Sequence, residues 1–232
     1  MNHVLAVRRA LLWGALVLIV VGGGLAAWSM LRETPTQGRG TLETLGEYGE
    51  VPDFTLIERS GRQVRRADLL GKVWIANFIY TQCKETCPLQ TARMAQLQAE
   101  FVNQEDLRLV SISVDPERDT PDVLSRYAKQ YGADPGRWLF LTGDKRAIYV
   151  LAKDGFRLGV VDPDDQARAG GLLRLLEPAP ALATHGSQGL VIHSSRFVLV
   201  DRQVRIRAYH LPDDSQSLSR LRENIKILLR RK

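Results

Sequence analysis

The chain has 232 residues, of which 44% are hydrophobic and 25% are charged, a composition typical of a globular protein. Its formal net charge is +6, and three of its basic residues lie before the first acidic residue, Glu33. The remaining 29 basic and 26 acidic residues are interleaved, without the clustered basic stripe that nucleic-acid binding needs.

The N-terminal segment is predicted to cross a membrane once. Residues 10–31 are 22 consecutive uncharged, mostly apolar residues, with a tryptophan near each end. As a helix they would extend roughly 33 Å, enough for a hydrocarbon core of about 30 Å. Arg8 and Arg9 precede the segment, so the positive-inside rule places residues 1–9 in the cytoplasm. A cleaved signal peptide is the alternative, although its apolar region would be shorter, about 7–15 residues.

This topology implies a bacterial inner-membrane protein with a single span and a periplasmic main domain. The periplasm is oxidising, which permits a disulfide. Residues 32–50 are polar and rich in Gly, Thr and Glu, and we interpret them as a linker. The folded domain is therefore predicted to comprise residues 51–232.

The domain is predicted to begin with a hairpin and a buried strand. Residues 51–57 alternate as a strand, Ser60-Gly61 forms a turn, and Gln63-Val64 is the return strand. Residues 72–80 are nearly all apolar, which is typical of a central strand that is buried on both faces.

The two cysteines of the chain, Cys83 and Cys87, follow that strand directly. Because a proline disfavours a helical conformation at the preceding residue, Cys87 is predicted to be a helix N-cap and Pro88 the first helical residue. Free amides and the helix dipole at this position lower thiol pKa values. Two such sulfurs can close a disulfide or bind a soft metal. The three intervening residues form a wider loop than a redox Cys-x-x-Cys and favour metal ligation.

The remaining elements complete an α/β pattern. They are a helix after the cysteines, a strand at 107–114, a helix with Thr120 as N-cap and Pro121 as first residue, a strand at 138–141, a helix capped by Asp144, a long loop at 162–188, a hairpin of 196–201 and 204–209, and an amphipathic helix with Leu218, Leu221, Ile225 and Leu228 on one stripe. This order predicts a mixed central sheet with helices on both faces. Thiols between a central strand and its helix indicate a thioredoxin-like fold.

A histidine is the natural third ligand, and His193 is the candidate. It precedes the final hairpin, whose entry faces the cysteine turn in a thioredoxin-like sheet. His185 is a weaker rival, His210 is expected on the surface after the last strand, and His3 is cytoplasmic. Two thiolates and an imidazole suit copper, Cu(I) especially, whereas structural zinc normally takes four protein ligands.

Three motifs in order resemble the Sco/SenC family, copper-binding thioredoxin-like proteins of cytochrome c oxidase assembly. They are Thr81-Gln-Cys-Lys-Glu-Thr-Cys-Pro88, Asp115-Pro-Glu-Arg-Asp-Thr-Pro121, and His193 before Phe197-Val-Leu-Val-Asp201. The resemblance implies that Cys83, Cys87 and His193 bind one copper ion, as Cu(I) or Cu(II). It also implies a partner: the copper-bearing subunit of cytochrome c oxidase or another periplasmic copper or thiol protein.

Asp115 and Asp119 allow two interpretations. They could support the copper site or contact a partner. The interpretation that we favour is local: Asp115 forms a turn before Pro116, and Asp119 lies at the positive end of the next helix.

Two functions remain open at this stage. The leading hypothesis is a membrane-anchored copper chaperone, which is not an enzyme. The alternative is a thiol–disulfide oxidoreductase that keeps client cysteines reduced through Cys83 and Cys87. A peroxidase is disfavoured because no Pro-x-x-x-Thr-x-x-Cys arrangement occurs.

Overall fold

A seven-stranded mixed sheet organises the computed structural model, which describes residues 42–84, 86–161, 191–192 and 195–231. The described strands are β1 Thr55–Glu58, β2 Gln63–Arg65, β3 Val73–Ile79, β4 Leu107–Ser113, β5 Trp138–Thr142, β6 Val160–Val161, β7 Val191–Ile192, β8 Phe197–Val200 and β9 Ile206–His210. The sheet has the strand order β2-β1-β5-β4-β3-β8-β9, and two further strands, β6 and β7, pair with each other.

Strand β3 lies at the centre of this sheet, as its apolar sequence predicted. All seven of its residues are buried. It pairs in parallel with β4, with Val73 opposite Leu107 and Ile79 opposite Ser113, and antiparallel with β8 on its other edge. A strand that is covered on both faces needs apolar side chains on both, which explains the unbroken hydrophobic run.

Four α-helices are described: α1 Thr86–Glu100, α2 Pro121–Gln130, α3 Lys145–Val150 and α4 Ser215–Arg230. A 3₁₀ turn spans Arg66–Leu69, and a π-helical turn, Leu151–Gly155, follows α3. The predicted N-caps are confirmed, since the Thr120 hydroxyl accepts from the Val123 amide at 3.4 Å and the Asp144 carboxylate accepts from the Ala147 amide at 2.8 Å.

Helices cover both faces of the sheet, as predicted. Helices α1, α2 and α4 contribute Leu97, Leu124 and Leu221 to one buried cluster. On the opposite face, Ile148 of α3 and Phe156 belong to a second cluster with the β3 side chains that point that way. The alternation of side chains along β3 therefore divides the core into two layers.

Predicted and observed strand boundaries differ most at the first strand and in the final hairpin. The first strand begins at Thr55 rather than at residue 51, because the Val51 amide donates to the Val204 carbonyl at 3.0 Å and this segment joins the final hairpin instead. In that hairpin Val204 has a φ of 55°, in the left-handed region, so it belongs to the turn. Strand β9 consequently starts at Ile206 and extends through His210.

Several predicted segments lie outside the described residues: the membrane span at 10–31, residues 32–41 of the linker, and the loop at 162–188. Residues 42–50 were also predicted as linker, but they pack against the domain: Glu43 is buried, and the Gly46 amide donates to the Arg207 carbonyl at 2.9 Å. Within the part of the chain that the structure describes, no helix has the length and apolar character to span a membrane.

The buried stripe of α4 gives a stability prediction. Leu221 is fully buried, so Leu221→Ala should lower the free energy of unfolding by about 2–5 kcal/mol. Ile227, on the same helix, is 39% exposed, and Ile227→Ala should cost about 0.5 kcal/mol or less. Urea unfolding followed by circular dichroism measures both; equal losses would mean that α4 does not pack as described.

Candidate metal centre

The site forms where two connections leave the same edge of the sheet. Strands β3 and β4 are parallel, so the turn after Ile79 and the loop after Ser113 emerge side by side. Strand β8 is antiparallel to β3, so it enters the sheet at this edge too. The cysteines lie in the first connection, Asp115 and Asp119 in the second.

The two thiols lie at the start of α1. Cys87 is 4% exposed and packs into the core, whereas Cys83 is half-buried. The Cys87 amide donates to the Cys83 sulfur at 3.4 Å, and the Cys83 amide donates to the Tyr80 carbonyl at 3.2 Å. One short turn thus holds two sulfur atoms, one facing the core and one partly facing solvent.

The prediction that Cys87 is the N-cap of α1 is wrong. Helix α1 already includes Thr86 and Cys87, and Pro88 lies within its first turn. Amides of the first turn have no acceptor inside the helix, so a proline there removes no helical hydrogen bond. Cys87 therefore lies in the helix although the proline that follows disfavours a helical conformation there.

The predicted lowering of thiol pKa values is also wrong for Cys87. Burial raises the pKa of Cys87 to about 12, because the thiolate would lose its solvation. The neighbouring Cys83 thiol raises this pKa further, and hydrogen bonds from the Tyr80 backbone and the Thr86 side chain oppose the shift. Without a bound cation, Cys87 is a protonated thiol at neutral pH.

The structure brings together two of the three predicted ligands. Cys83 and Cys87 share a turn, and their soft sulfur donors on one loop fit a thiophilic ion such as Cu(I). His193 and His185 lie outside the described residues. Within the described ranges, no cluster of three or more His, Cys, Asp or Glu side chains could hold a metal ion.

Asp115 and Asp119 are both buried, and they make different contacts. The Asp119 carboxylate accepts from the Thr81 amide at 3.1 Å, from the Thr81 hydroxyl at 2.5 Å and from the Ser113 hydroxyl at 2.5 Å. The Asp115 carboxylate accepts from the Arg118 guanidinium at 3.0 Å. Asp119 therefore contacts the strand end and the segment that leads to Cys83, and Asp115 stays within its own loop.

A buried polar chain beneath α1 was missed at the sequence level. The Trp138 indole donates to the Ser111 hydroxyl at 3.0 Å, Ser111 donates to the Asn77 side chain at 2.7 Å, and Asn77 reaches Gln90 of α1 at 3.5 Å. Asn77 inside an otherwise apolar strand was the available signal, because a buried amide needs partners. These hydrogen bonds connect the cysteine-bearing helix α1 to the sheet.

A second contact fixes the first turns of α1. The Thr91 hydroxyl donates to the Cys87 carbonyl at 2.8 Å and lies 2.9 Å from the Tyr127 hydroxyl of α2. The backbone at Cys87 is therefore held from below by a neighbouring helix.

The prediction that His210 is a surface residue is wrong. Strand β9 ends at His210, which pairs with Phe197 and is fully buried beneath α4. The Nε2 atom of His210 lies 3.2 Å from the Asn224 side-chain amide, which also donates to the Glu43 carbonyl at 2.8 Å. Burial lowers the pKa of His210 to about 4; the charge of Glu43 opposes this shift and that of Arg220 adds to it.

Comparison with known proteins agrees with this geometry. The SCO1/SenC family matches residues 43–229. The chain belongs to the SCO1/SenC family. It is 38% identical over 119 residues to the SCO1 protein homolog of Bacillus subtilis, which covers 50% of this chain and 62% of that protein. The chain thus spans less than two thirds of the length of this curated relative.

Solved Sco structures share the mixed α/β, thioredoxin-like fold. BsSco, described as a member of the Sco family of cytochrome c oxidase assembly proteins with a disulfide switch, has 28% identity and a TM-score of 0.63, covering 82% of this chain and 99% of that one. Bradyrhizobium japonicum ScoI, solved with copper bound, has 22% identity and a TM-score of 0.56 over 75% of this chain and 99% of that one. At 22% identity, the similarity to ScoI shows a shared fold alone.

The difference between the two thiols of this Sco-family site predicts selective alkylation. At pH 8 iodoacetamide should modify Cys83 first, because a thiol with a pKa of about 12 is ionised in only about one molecule in ten thousand. Trypsin cleaves after Lys84 and separates the two cysteines, so peptide mass spectrometry reports each rate. Faster labelling of Cys87 would contradict the burial described for it.

The buried His210 predicts a loss of stability in acid. The folded protein keeps this imidazole neutral down to about pH 4, whereas an unfolded histidine takes up a proton near pH 6.5. The unfolded state therefore binds more protons between these values, and the free energy of unfolding should fall by up to about 3 kcal/mol as the pH is lowered through this range. In His210→Asn the free energy of unfolding should fall less over the same pH range, by the roughly 3 kcal/mol that His210 contributes. Urea unfolding at pH 7 and pH 4.5 tests it; identical losses in both proteins would show that His210 is not the group responsible.

Proposed function

We propose that this chain is a membrane-anchored copper chaperone that binds one copper ion through Cys83, Cys87 and His193 and delivers it during cytochrome c oxidase assembly. The observation that carries the proposal is the pair of sulfurs on one turn at the edge of a thioredoxin-like sheet, in a chain of the SCO1/SenC family. The client is supported by BsSco, a member of a family of cytochrome c oxidase assembly proteins, and the cargo by Bradyrhizobium japonicum ScoI, which was solved with copper bound.

The turn supplies the chemistry that a copper carrier needs. Two thiolates prefer Cu(I), and an imidazole would complete a low-coordinate site from which the ion can leave again. Cys87 would be the inner ligand, because it is buried and its carbonyl is fixed by Thr91. Cys83 is half-buried, so it would be the ligand that an incoming client thiolate replaces first.

Anchoring by residues 10–31 would place the domain on the periplasmic face of the inner membrane. A tether confines the carrier to the plane of a membrane-bound client and raises its effective concentration there. The location and the copper-bearing oxidase subunit as client are parts of the same proposal.

A thiol–disulfide oxidoreductase is the second candidate, and the unequal exposure of the two thiols favours it. The accessible Cys83 thiolate would attack a client disulfide, forming a mixed disulfide and releasing one client thiol. Cys87 would then attack the Cys83 sulfur, releasing the second client thiol and leaving a Cys83–Cys87 disulfide. Two electrons pass to the client.

Substitution of His193 separates the two functions. The reduced protein, titrated anaerobically with Cu(I) against a competing chelator, should bind one equivalent. His193→Ala should weaken this binding by more than about 100-fold. Removing a group that only hydrogen-bonds to a metal ligand already lowers metal affinity by about 10–100-fold, and removing the ligand itself should cost more. The same variant should still reduce a disulfide substrate, because that reaction needs only the two thiols.

His185→Ala is the matched control, since His185 precedes His193 by eight residues. It should bind copper as the unsubstituted protein does. Full-strength binding by His193→Ala would refute the ligand assignment. Absence of copper binding in the unsubstituted protein, with disulfide reduction intact, would leave the oxidoreductase as the function.

A further inference from the structure

The Asp119 carboxylate connects the end of β4 to the residue that begins the cysteine turn. Its side chain is 1% exposed, and its two oxygens accept from Ser113 on β4 and from both the amide and the hydroxyl of Thr81. Among the residues that the structure describes, no lysine or arginine forms an ion pair with Asp119. Thr81 and Ser113 therefore account for the described hydrogen bonds of the Asp119 carboxylate.

Two of the three hydrogen bonds to the Asp119 side chain can run in one direction only. The Ser113 hydroxyl accepts from the Asp115 amide at 3.1 Å, so its own proton points to Asp119 Oδ2. The Thr81 amide can only donate, and it also reaches Oδ2. The Thr81 hydroxyl donates to Oδ1 of the carboxylate, and it alone of the three groups could accept instead if residue 119 presented a donor at that position.

These contacts hold the start of the cysteine turn. Thr81 directly follows Tyr80, whose carbonyl accepts from the Cys83 amide. A Thr81 residue fixed at its amide and at its side chain therefore fixes the backbone that leads to Cys83. Cys87 is held independently, by α1 and Thr91. The distance between the sulfurs depends on both restraints, and only the first can loosen without unwinding a helix.

We propose that Asp119 is a positioning residue that sets the separation of the Cys83 and Cys87 sulfurs by fixing Thr81 against the end of β4. Its effect on copper rests on the proposed function; its effect on closure of a Cys83–Cys87 bond does not. Without the hydrogen bonds between Asp119 and Thr81, the segment that contains Cys83 would be more mobile. The effective concentration of one thiol at the other would then fall.

Three variants test this role in the full chain. Asp119→Ala removes all three hydrogen bonds. Thr81→Val removes only the hydroxyl. Asp119→Asn should restore the arrangement: its oxygen can replace Oδ2, and its NH₂ group can donate to a Thr81 hydroxyl that now accepts. Asp144→Ala is the control, because it deletes an exposed carboxylate–amide hydrogen bond at the start of another helix, α3.

Equilibration in glutathione buffers measures thiol separation without copper. One Cys83–Cys87 bond forms as one glutathione disulfide is reduced to two glutathione molecules. Asp119→Ala should lower this equilibrium constant about tenfold, as expected for loss of hydrogen bonds to a charged group. Thr81→Val should lower it less, and Asp119→Asn and Asp144→Ala should stay close to the unsubstituted protein. Cu(I) affinity, measured by chelator competition, should follow the same order.

The outcomes separate the two claims. If Asp119→Ala matches Asp144→Ala in the glutathione equilibrium, Asp119 does not position the thiols. If Asp119→Asn lowers the equilibrium constant as much as Asp119→Ala does, the hydrogen bonds of residue 119 do not cause the change, and the inference fails likewise. If the unsubstituted protein binds no copper while the glutathione series holds, the copper function fails and the positioning role stands. Should Asp119→Ala not fold, the comparison of Thr81→Val with Asp119→Asn decides.

Discussion

The parallel pairing of β3 with β4 is the constraint on which the site depends. Seven consecutive residue pairs, from Val73–Leu107 to Ile79–Ser113, fix the register of the two strands. Because parallel strands end at the same edge, this register determines which residues of the two connections can meet. The Val114 amide donates to the Ile79 carbonyl at 2.9 Å, so the pairing continues to the point where the chains separate. A slip of one residue would exchange the two faces of β3 and displace Thr81 from Asp119.

Burial of β3 explains why that register is stable. Its side chains alternate between two apolar clusters, and each large side chain contributes about 1.5–3 kcal/mol when fully buried. Asn77 is the exception in this strand, and its partners Ser111 and Gln90 satisfy it in one position only. Such a polar chain adds little net stability, but a shifted pairing would leave it unsatisfied, and an unsatisfied buried group is costly. The polar chain therefore favours one register of β3, β4 and α1.

The sequence predicted the parts of the fold that local patterns determine. The continuous apolar run marked β3, and the side chains of Thr120 and Asp144 marked two helix starts, because a cap bonds only to amides within three residues. It failed where distant elements decide the outcome. The burial of His210 depends on α4, and the partner of Asp119 lies 38 positions away in the chain. Nothing near these residues in the sequence encodes such contacts.

The two cysteines illustrate the same limit at the site itself. Their spacing and the following proline correctly indicated a turn that leads into a helix, yet the environment of each sulfur depends on packing. Cys87 belongs to the apolar cluster of α1, so its thiolate is disfavoured, while Cys83 stays partly open. A cation that binds both sulfurs would offset the cost of a buried thiolate at Cys87. Any exchange of ligands would then have to begin from the side of Cys83, where a client thiol can approach without disrupting the core. The division into a buried and an accessible sulfur thus follows from the way α1 packs on β3, and it gives the proposed transfer its direction.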